Sequence, residues 1–456
     1  MLERIDREIV GALHFSTDGL AFVEELVDRF GPRFHGSPQE HAAAAFIRER
    51  FEGLGADSVA TETFTCPGWT RGETHLAAVA PVVRDIPCIA LPYSPPGVVE
   101  GPLVDVGPGD PRTFEALRPA MRDAIVMATT AIPRFARVRM NLLEKVGRAF
   151  DAGAVGFIWM RGVPGGLPEA GPTRLGFAAE APAVAVSYEH GYELQRLAGR
   201  GPARLRITSA NQNRPVTSHN LVAEFKGTRW PEDVIVLGAH YDAHDIGQGA
   251  MDNGAGLSVL MEVARTLRAY RGEFLRTLRF VAFSGEETGL HGSRHHAERH
   301  RAESIRFMLN LDGSARSMSA TIHFPAWPEG LEFLRGLYEG DVVDDPYEAS
   351  LWLHSDHYAF TAQGFPGAIV MSDQPPGASA AAVRGFGHTP MDTLDKVSGR
   401  AIEMEASRVA RLAFRLVTVD EIPMRRKTPQ EIAAVLAVRE LDRVLRYEGR
   451  RLPGEG

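Results

Sequence analysis

Two cysteines in 456 residues, Cys66 and Cys88, are too few for a disulfide framework or a thiolate zinc cluster, so any bound metal must use histidine and carboxylate ligands. Lysine is nearly as scarce, present only at Lys145, Lys226, Lys396 and Lys427, and the other basic residues are arginine. Fifty Lys+Arg against 58 Asp+Glu leave a net charge of -8, the wrong sign for a chain that lives on phosphate backbones or anionic lipid; nucleic acid is not an expected partner. No run approaches the roughly 18 apolar residues of a membrane span. The start, Met1-Leu2-Glu3-Arg4-Ile5-Asp6, has acidic residues where a secretion signal needs a basic and then an apolar stretch, so a cytoplasmic location is expected. Neither internal repeats nor low-complexity tracts occur, and 44% apolar with 24% charged residues describes an ordinary folded chain, long enough for two or three domains.

What is present changes texture along the chain. Residues 1 to about 60 read as helices, with Val23, Leu26, Val27 and Phe30 at helical spacing and the turn-rich Gly31-Pro32-Arg33-Phe34-His35-Gly36-Ser37-Pro38 between two of them. From about 61 to 211, short β-branched runs punctuated by Pro and Gly point to a separate β-rich unit with a helix near Val138 to Ala152. Beyond 219, strands alternate with helices, and the strands are nearly continuously apolar, as in Val234-Ile235-Val236-Leu237 and Leu278-Arg279-Phe280-Val281-Ala282-Phe283. Such strands belong to an α/β fold, a mostly parallel mixed sheet covered by helices on both faces. The expected division is 1–96 and 212–424 for that fold, 97–211 for the inserted unit, and 425–456 for an appended amphipathic helix that packs on the main domain or makes a homodimer contact.

In open α/β sheets, sites form at the C-terminal ends of strands. Three strands here end in Gly238-Ala239-His240-Tyr241-Asp242, Ser284-Gly285-Glu286-Glu287 and Asn310-Leu311-Asp312-Gly313. Two further motifs, Gly249-Ala250-Met251-Asp252-Asn253-Gly254-Ala255-Gly256 and Gly387-His388-Thr389-Pro390-Met391-Asp392-Thr393, add an aspartate and a histidine. Together these make an oxygen/nitrogen donor set suited to zinc. The count exceeds one ion's needs: His240, Asp252, Glu287, Asp312 and His388 satisfy a two-metal site with one bridging carboxylate, and Glu286 is left to move a proton.

This arrangement resembles peptidase family M28, the co-catalytic zinc aminopeptidases and carboxypeptidases, over the motifs from 238 to 393 in order. The resemblance implies Asp252 as the bridge, His240 and Asp312 on one Zn2+, Glu287 and His388 on the other, and Glu286 as general base acting on a metal-bridging hydroxide. It also implies Asp242 as the partner that orients His240, and a cis peptide between Asp252 and Asn253. The stretches Asp245-Ile246-Gly247-Gln248-Gly249-Ala250-Met251-Asp252, Gly31-Pro32-Arg33 and Trp69-Thr70-Arg71-Gly72-Glu73 are similar to the plasma glutamate carboxypeptidase (carboxypeptidase Q) branch, whose protease-associated insert resembles the middle segment. His354-Ser355-Asp356-His357-Tyr358-Ala359-Phe360 is closer to the wider aminopeptidase family. His357 and Tyr358 are read as substrate-binding residues, an oxyanion donor among them, against the alternative of a plain helix start with solvated histidine.

The implied activity is that of an exopeptidase on peptide or dipeptide substrates, an aminopeptidase first, with a dipeptidase or carboxypeptidase as the alternative. Arg316 and Arg384, which could clamp a substrate carboxylate, lie only near the motifs. A one-zinc glutaminyl cyclase relative and a receptor-like binding protein are the rivals; retention of every ligand speaks against both. His291, His295, His296 and His300 read as a solvated helix face, because no glutamate directly follows His296 as a zincin helix requires.

Overall fold

A computed structural model describes residues 2–132, 140–324, 326–337, 347–348, 351–373 and 385–455. Among these residues the main sheet has eight strands in the order Ser58–Thr70, Gln212–Phe225, Arg276–Phe283, Trp230–His240, Ser304–Leu311, Gly367–Ser372, Ala320–His323, Tyr347–Glu348. The central four, from Arg276–Phe283 to Gly367–Ser372, run parallel, and antiparallel partners flank them, which is the mixed sheet the sequence predicts. Successive side chains of a strand face opposite sides. Ile235 and Leu237 accordingly enter the larger core, beneath the helices Leu2–His14, Asp18–Phe30, Ala255–Leu267 and Gly399–Thr418, while Val234 and Val236 enter a second core with Ala297, Ala359 and Phe360. Both faces are covered, so the strands need no polar alternation. Among the described residues, no helix is long and apolar enough to cross a membrane.

The strands Ser58–Thr70 and Gln212–Phe225 pair antiparallel along their whole shared length, and the inserted unit hangs from the far end of this ribbon. Its own eight-stranded sheet begins at Thr74–Ala80, not at 97: that strand pairs with Arg204–Ser209, and Arg84–Ile86 and Ile89–Ala90 also belong to this sheet. Those short strands carry no local sign of which sheet they join, which moves the expected boundary by about two dozen residues. The unit is also less purely β than expected, since Pro111–Met121, Leu142–Asp151 and Tyr188–Ala198 are helices.

The C-terminal segment forms two short helices, Pro429–Val438 and Leu441–Tyr447, and fastens both units together. Arg174 of the insert donates to the Tyr447 carbonyl at 2.9 Å, and Arg148 lies over the Tyr447 ring. Glu448, fully buried, meets His354 Nε2 at 2.6 Å on the main domain.

Candidate metal centre

Register brings the strand-end motifs together. His240 pairs with Phe283 and Gly238 with Asn310, so the residues just past each strand, Glu286 and Glu287 on one side and Asp312 on the other, converge at the end of the His240 strand. His240 Nδ1 donates to the Asp242 carbonyl at 3.1 Å. Its Nε2 is thereby left to take a proton or a metal ion; this buried atom has no hydrogen-bond partner and lies 3.6 Å from Asp252, 3.9 Å from Asp312 and 3.9 Å from Glu286. His388 repeats the pattern, with Nδ1 donating to the Ala170 carbonyl at 3.2 Å and Nε2 lying 2.9 Å from Glu287 and 3.4 Å from Asp252. Fixing the tautomer from the far side of the ring is what a metal-ligating histidine requires.

Neighbours hold the carboxylates in turn. The Glu286 and Glu287 N–H groups donate to the two Asp242 oxygens at 3.2 and 3.4 Å, so Asp242 orients the glutamate pair as well as contacting His240. Ser355 Oγ donates to Asp312 and accepts from Asn310. Met251 and Asp252 N–H donate to Asp392 at 2.7 and 3.1 Å. Beneath the site, Tyr241 and Ser284 hydroxyls both donate to buried Glu40, tying the His240 and Glu286 loops to the helix Pro38–Gly53. Arg33, fully buried, donates to the carbonyls of Tyr241, Gln248 and Gly249 and pins the intervening loop. Gly249, at φ 61°, leaves Arg33 this room: a Cβ there would fall 2.2 Å from Ala243. The Asp252–Asn253 peptide is cis.

The electrostatics call for cations. Burial, reinforced by the carboxylates of Asp312, Asp356 and Glu287, holds Glu286 well above the usual carboxylate range even against His240. Burial works against a charged His240, yet Glu286, Asp242, Asp252 and Asp312 raise it well above an ordinary histidine. Burial pushes Asp356 up to about 7 and Asp392, with Asp252 beside it, up to about 6. Four groups of donor atoms, each within 4.8 Å of one another, occur among the described residues, and two of them lie in this cluster: His240 with Asp252 and Asp312, and His244 with Glu287 and His388; the others are His35 with Cys66 and His291, and Glu62 with His296 and His300. Donor chemistry, orphaned Nε2 and excess carboxylate together fit zinc or a similar divalent ion.

Residues 220–413 match the model of peptidase family M28. That segment, which holds the strand-end motifs from Asn220 onward, is therefore similar to peptidase family M28. Bovine carboxypeptidase Q is 25% identical over 336 residues, 68% of this chain and 65% of that protein, so the match spans just under two thirds of that relative's length. Aminopeptidase YwaD of Bacillus subtilis (strain 168) is 25% identical over 416 residues, 88% of this chain and 85% of that one. The crystal structure of a peptidase M28 precursor from Shewanella amazonensis SB2B shares the fold, with TM-score 0.75 at 22% identity over 93% of this chain and 99% of that one.

All five expected ligands, Glu286 and Asp242 meet in one cluster, buried except for the half-buried Asp312 and His388. His357 and Tyr358 do not form the substrate surface expected of them. His357 is fully buried, where desolvation lowers it to about 3, and Tyr358 lies in the core with the Arg450 guanidinium over its ring. The reason is the tail, since Arg450 also donates to the Leu353 carbonyl and closes over this helix. The histidine helix is not a solvated face either: buried His296 Nδ1 lies 2.8 Å from Glu62, and His300 Nε2 2.6 Å from the other Glu62 oxygen. Local sequence does not single out three residues of the site: Asp392 lies inside the motif from Gly387 to Thr393, Arg33 lies in the turn from Gly31 to Pro38, and His244 repeats the spacing from His240 to Asp242, an alternation that is its one local signal.

Proposed function

We propose that this chain is a metal-dependent exopeptidase working with two Zn2+ or similar divalent ions, and that it attacks the amino-terminal end of peptides or dipeptides. The observation that carries this is the pair of donor groups meeting at Asp252, whose two carboxylate oxygens separately approach His240 and His388. His240, Asp252 and Asp312 would hold one ion and Asp252, Glu287 and His388 the other. When bound, such ions polarise a scissile carbonyl and acidify a water molecule. Glu286, kept proton-avid by burial, takes the proton from the attacking water and delivers it to the leaving amine. Asp242 positions that glutamate through its backbone N–H. A positively charged α-amine entering this acidic cluster would draw Glu286 and Asp356 toward their charged forms and so find a partner, where an unpaired buried ion costs several kcal/mol.

A second reading, carboxypeptidase or dipeptidase, has one specific support. Arg316 lies 3.4 Å from Asp252, and its buried Nε has no hydrogen-bond partner, so a cation capable of meeting a substrate carboxylate stands at the site. Arg384 falls outside the described residues. A panel of free, N-acetylated and C-amidated dipeptides separates the readings. Acetylation should abolish cleavage and amidation be tolerated. Dependence on the free carboxylate alone would make the enzyme a carboxypeptidase, and dependence on both ends a dipeptidase.

A further inference from the structure

The loop after His240 carries a second imidazole in surroundings like those of the first. His244 is 3% exposed, and neither of its ring nitrogens makes a hydrogen bond. Burying a polar group without a partner is unfavourable, so such a side chain needs an occupant for its lone pair. Its Nε2 lies 3.2 Å from Glu287 Oε2, out of hydrogen-bond alignment, and its ring stands edge-on to His388 with centroids 4.2 Å apart. Donor atoms of His244, Glu287 and His388 group as closely as those of His240, Asp252 and Asp312. His244 also lines the small cavity it shares with Asp252, Glu287, His388 and Asp392.

We propose that His244 is a direct ligand of the ion held by Glu287 and His388. The inference rests on the metallopeptidase reading and deepens it. One half of the centre then has two imidazoles and two carboxylates, His244, His388, Glu287 and the shared Asp252. The other has one imidazole and two carboxylates, His240, Asp312 and Asp252. Imidazole favours zinc and cobalt, whereas carboxylate-rich sites suit manganese and magnesium. The halves therefore differ in metal preference, with the His244 side the tighter for Zn2+ and Co2+.

Co2+ titration of the metal-free full chain, followed by calorimetry and visible absorption, tests this in wild type, His244→Phe, His244→Asn and Glu287→Gln, with circular dichroism as the fold control. Wild type should bind two ions in distinguishable steps. Both His244 variants should weaken one step by about 10- to 100-fold and alter its visible spectrum. Glu287→Gln should weaken the same step. X-ray absorption of the zinc-loaded wild type needs no variant, and it should count three imidazoles over two ions, about 1.5 per ion, rather than one per ion. A count of one per ion, or two titration steps that stay within threefold in both His244 variants, makes His244 a cavity wall and overturns the inference while the metallopeptidase reading stands. Wild type that binds no Co2+ overturns both.

Discussion

The two halves of the acidic centre are built by different means. His240, Glu286 and Asp312 follow directly from neighbouring parallel strands, and their spacing is set by ladder register, His240 against Phe283 and Gly238 against Asn310. Asp252 and His388 sit on loops far from each other in sequence. They depend on single contacts: Asp392 receiving two backbone N–H groups, Arg33 pinning the loop between Tyr241 and Gly249, and Ala170 of the insert bracketing His388, its N–H donating to the His388 carbonyl at 2.8 Å. A ladder distributes positional error over many hydrogen bonds, whereas a loop concentrates it in a few. The strand-end half should therefore tolerate loss of a supporting residue better than the loop half, and the insert helps to hold His388 in place.

The largest effect expected lies in the strand-end half itself. Glu286→Gln should keep both ions and lower kcat by about 100- to 10,000-fold, while the adjacent Glu287→Gln should lose metal. Kinetics and metal analysis on the same preparations check this, and the opposite pattern would exchange the two roles. Next comes a direct contrast of supports. Asp392→Ala strands two buried N–H groups, should destabilise the fold by about 1–3 kcal/mol and weaken one metal step by about 10- to 100-fold, whereas Ser355→Ala beside Asp312 should do less. Equal effects would erase the distinction between the halves.

Ala170→Pro removes one N–H donor to the loop that bears His388. Loss of one hydrogen bond, about 0.5–1.5 kcal/mol, should weaken metal retention roughly 2- to 10-fold in a chelator-competition assay. No change would reduce the insert to a cover. The smallest effect is a pH slope. In the metal-free folded chain Asp392 holds its proton up to about 6, against 3.8 for an ordinary aspartate, because it is buried beside Asp252. The folded state thus binds more protons than the unfolded one in that window, and this stabilising contribution, full below 3.8, is lost as pH rises to about 6. Denaturant titrations should show the wild-type minus Asp392→Asn stability difference falling across that interval; a flat difference would remove Asp392 as its source.

The parts of this protein legible in its sequence are those encoded within a few neighbouring residues. An apolar run that ends in His240-Tyr241-Asp242 or Glu286-Glu287 states both a buried parallel strand and the chemistry at its tip, and strands of that kind have to align their C-terminal ends. What only tertiary structure decided is where distant segments meet. Arg450 returns from the tail to cover Tyr358, which looked from its motif like a residue free to touch substrate. Glu62 arrives from the first ribbon strand to bury His296, and Thr74–Ala80 joins the second sheet by pairing with a strand more than a hundred residues later. Such contacts depend on the partner's arrival and on the desolvation it imposes, and neither leaves a trace in the local pattern of either segment.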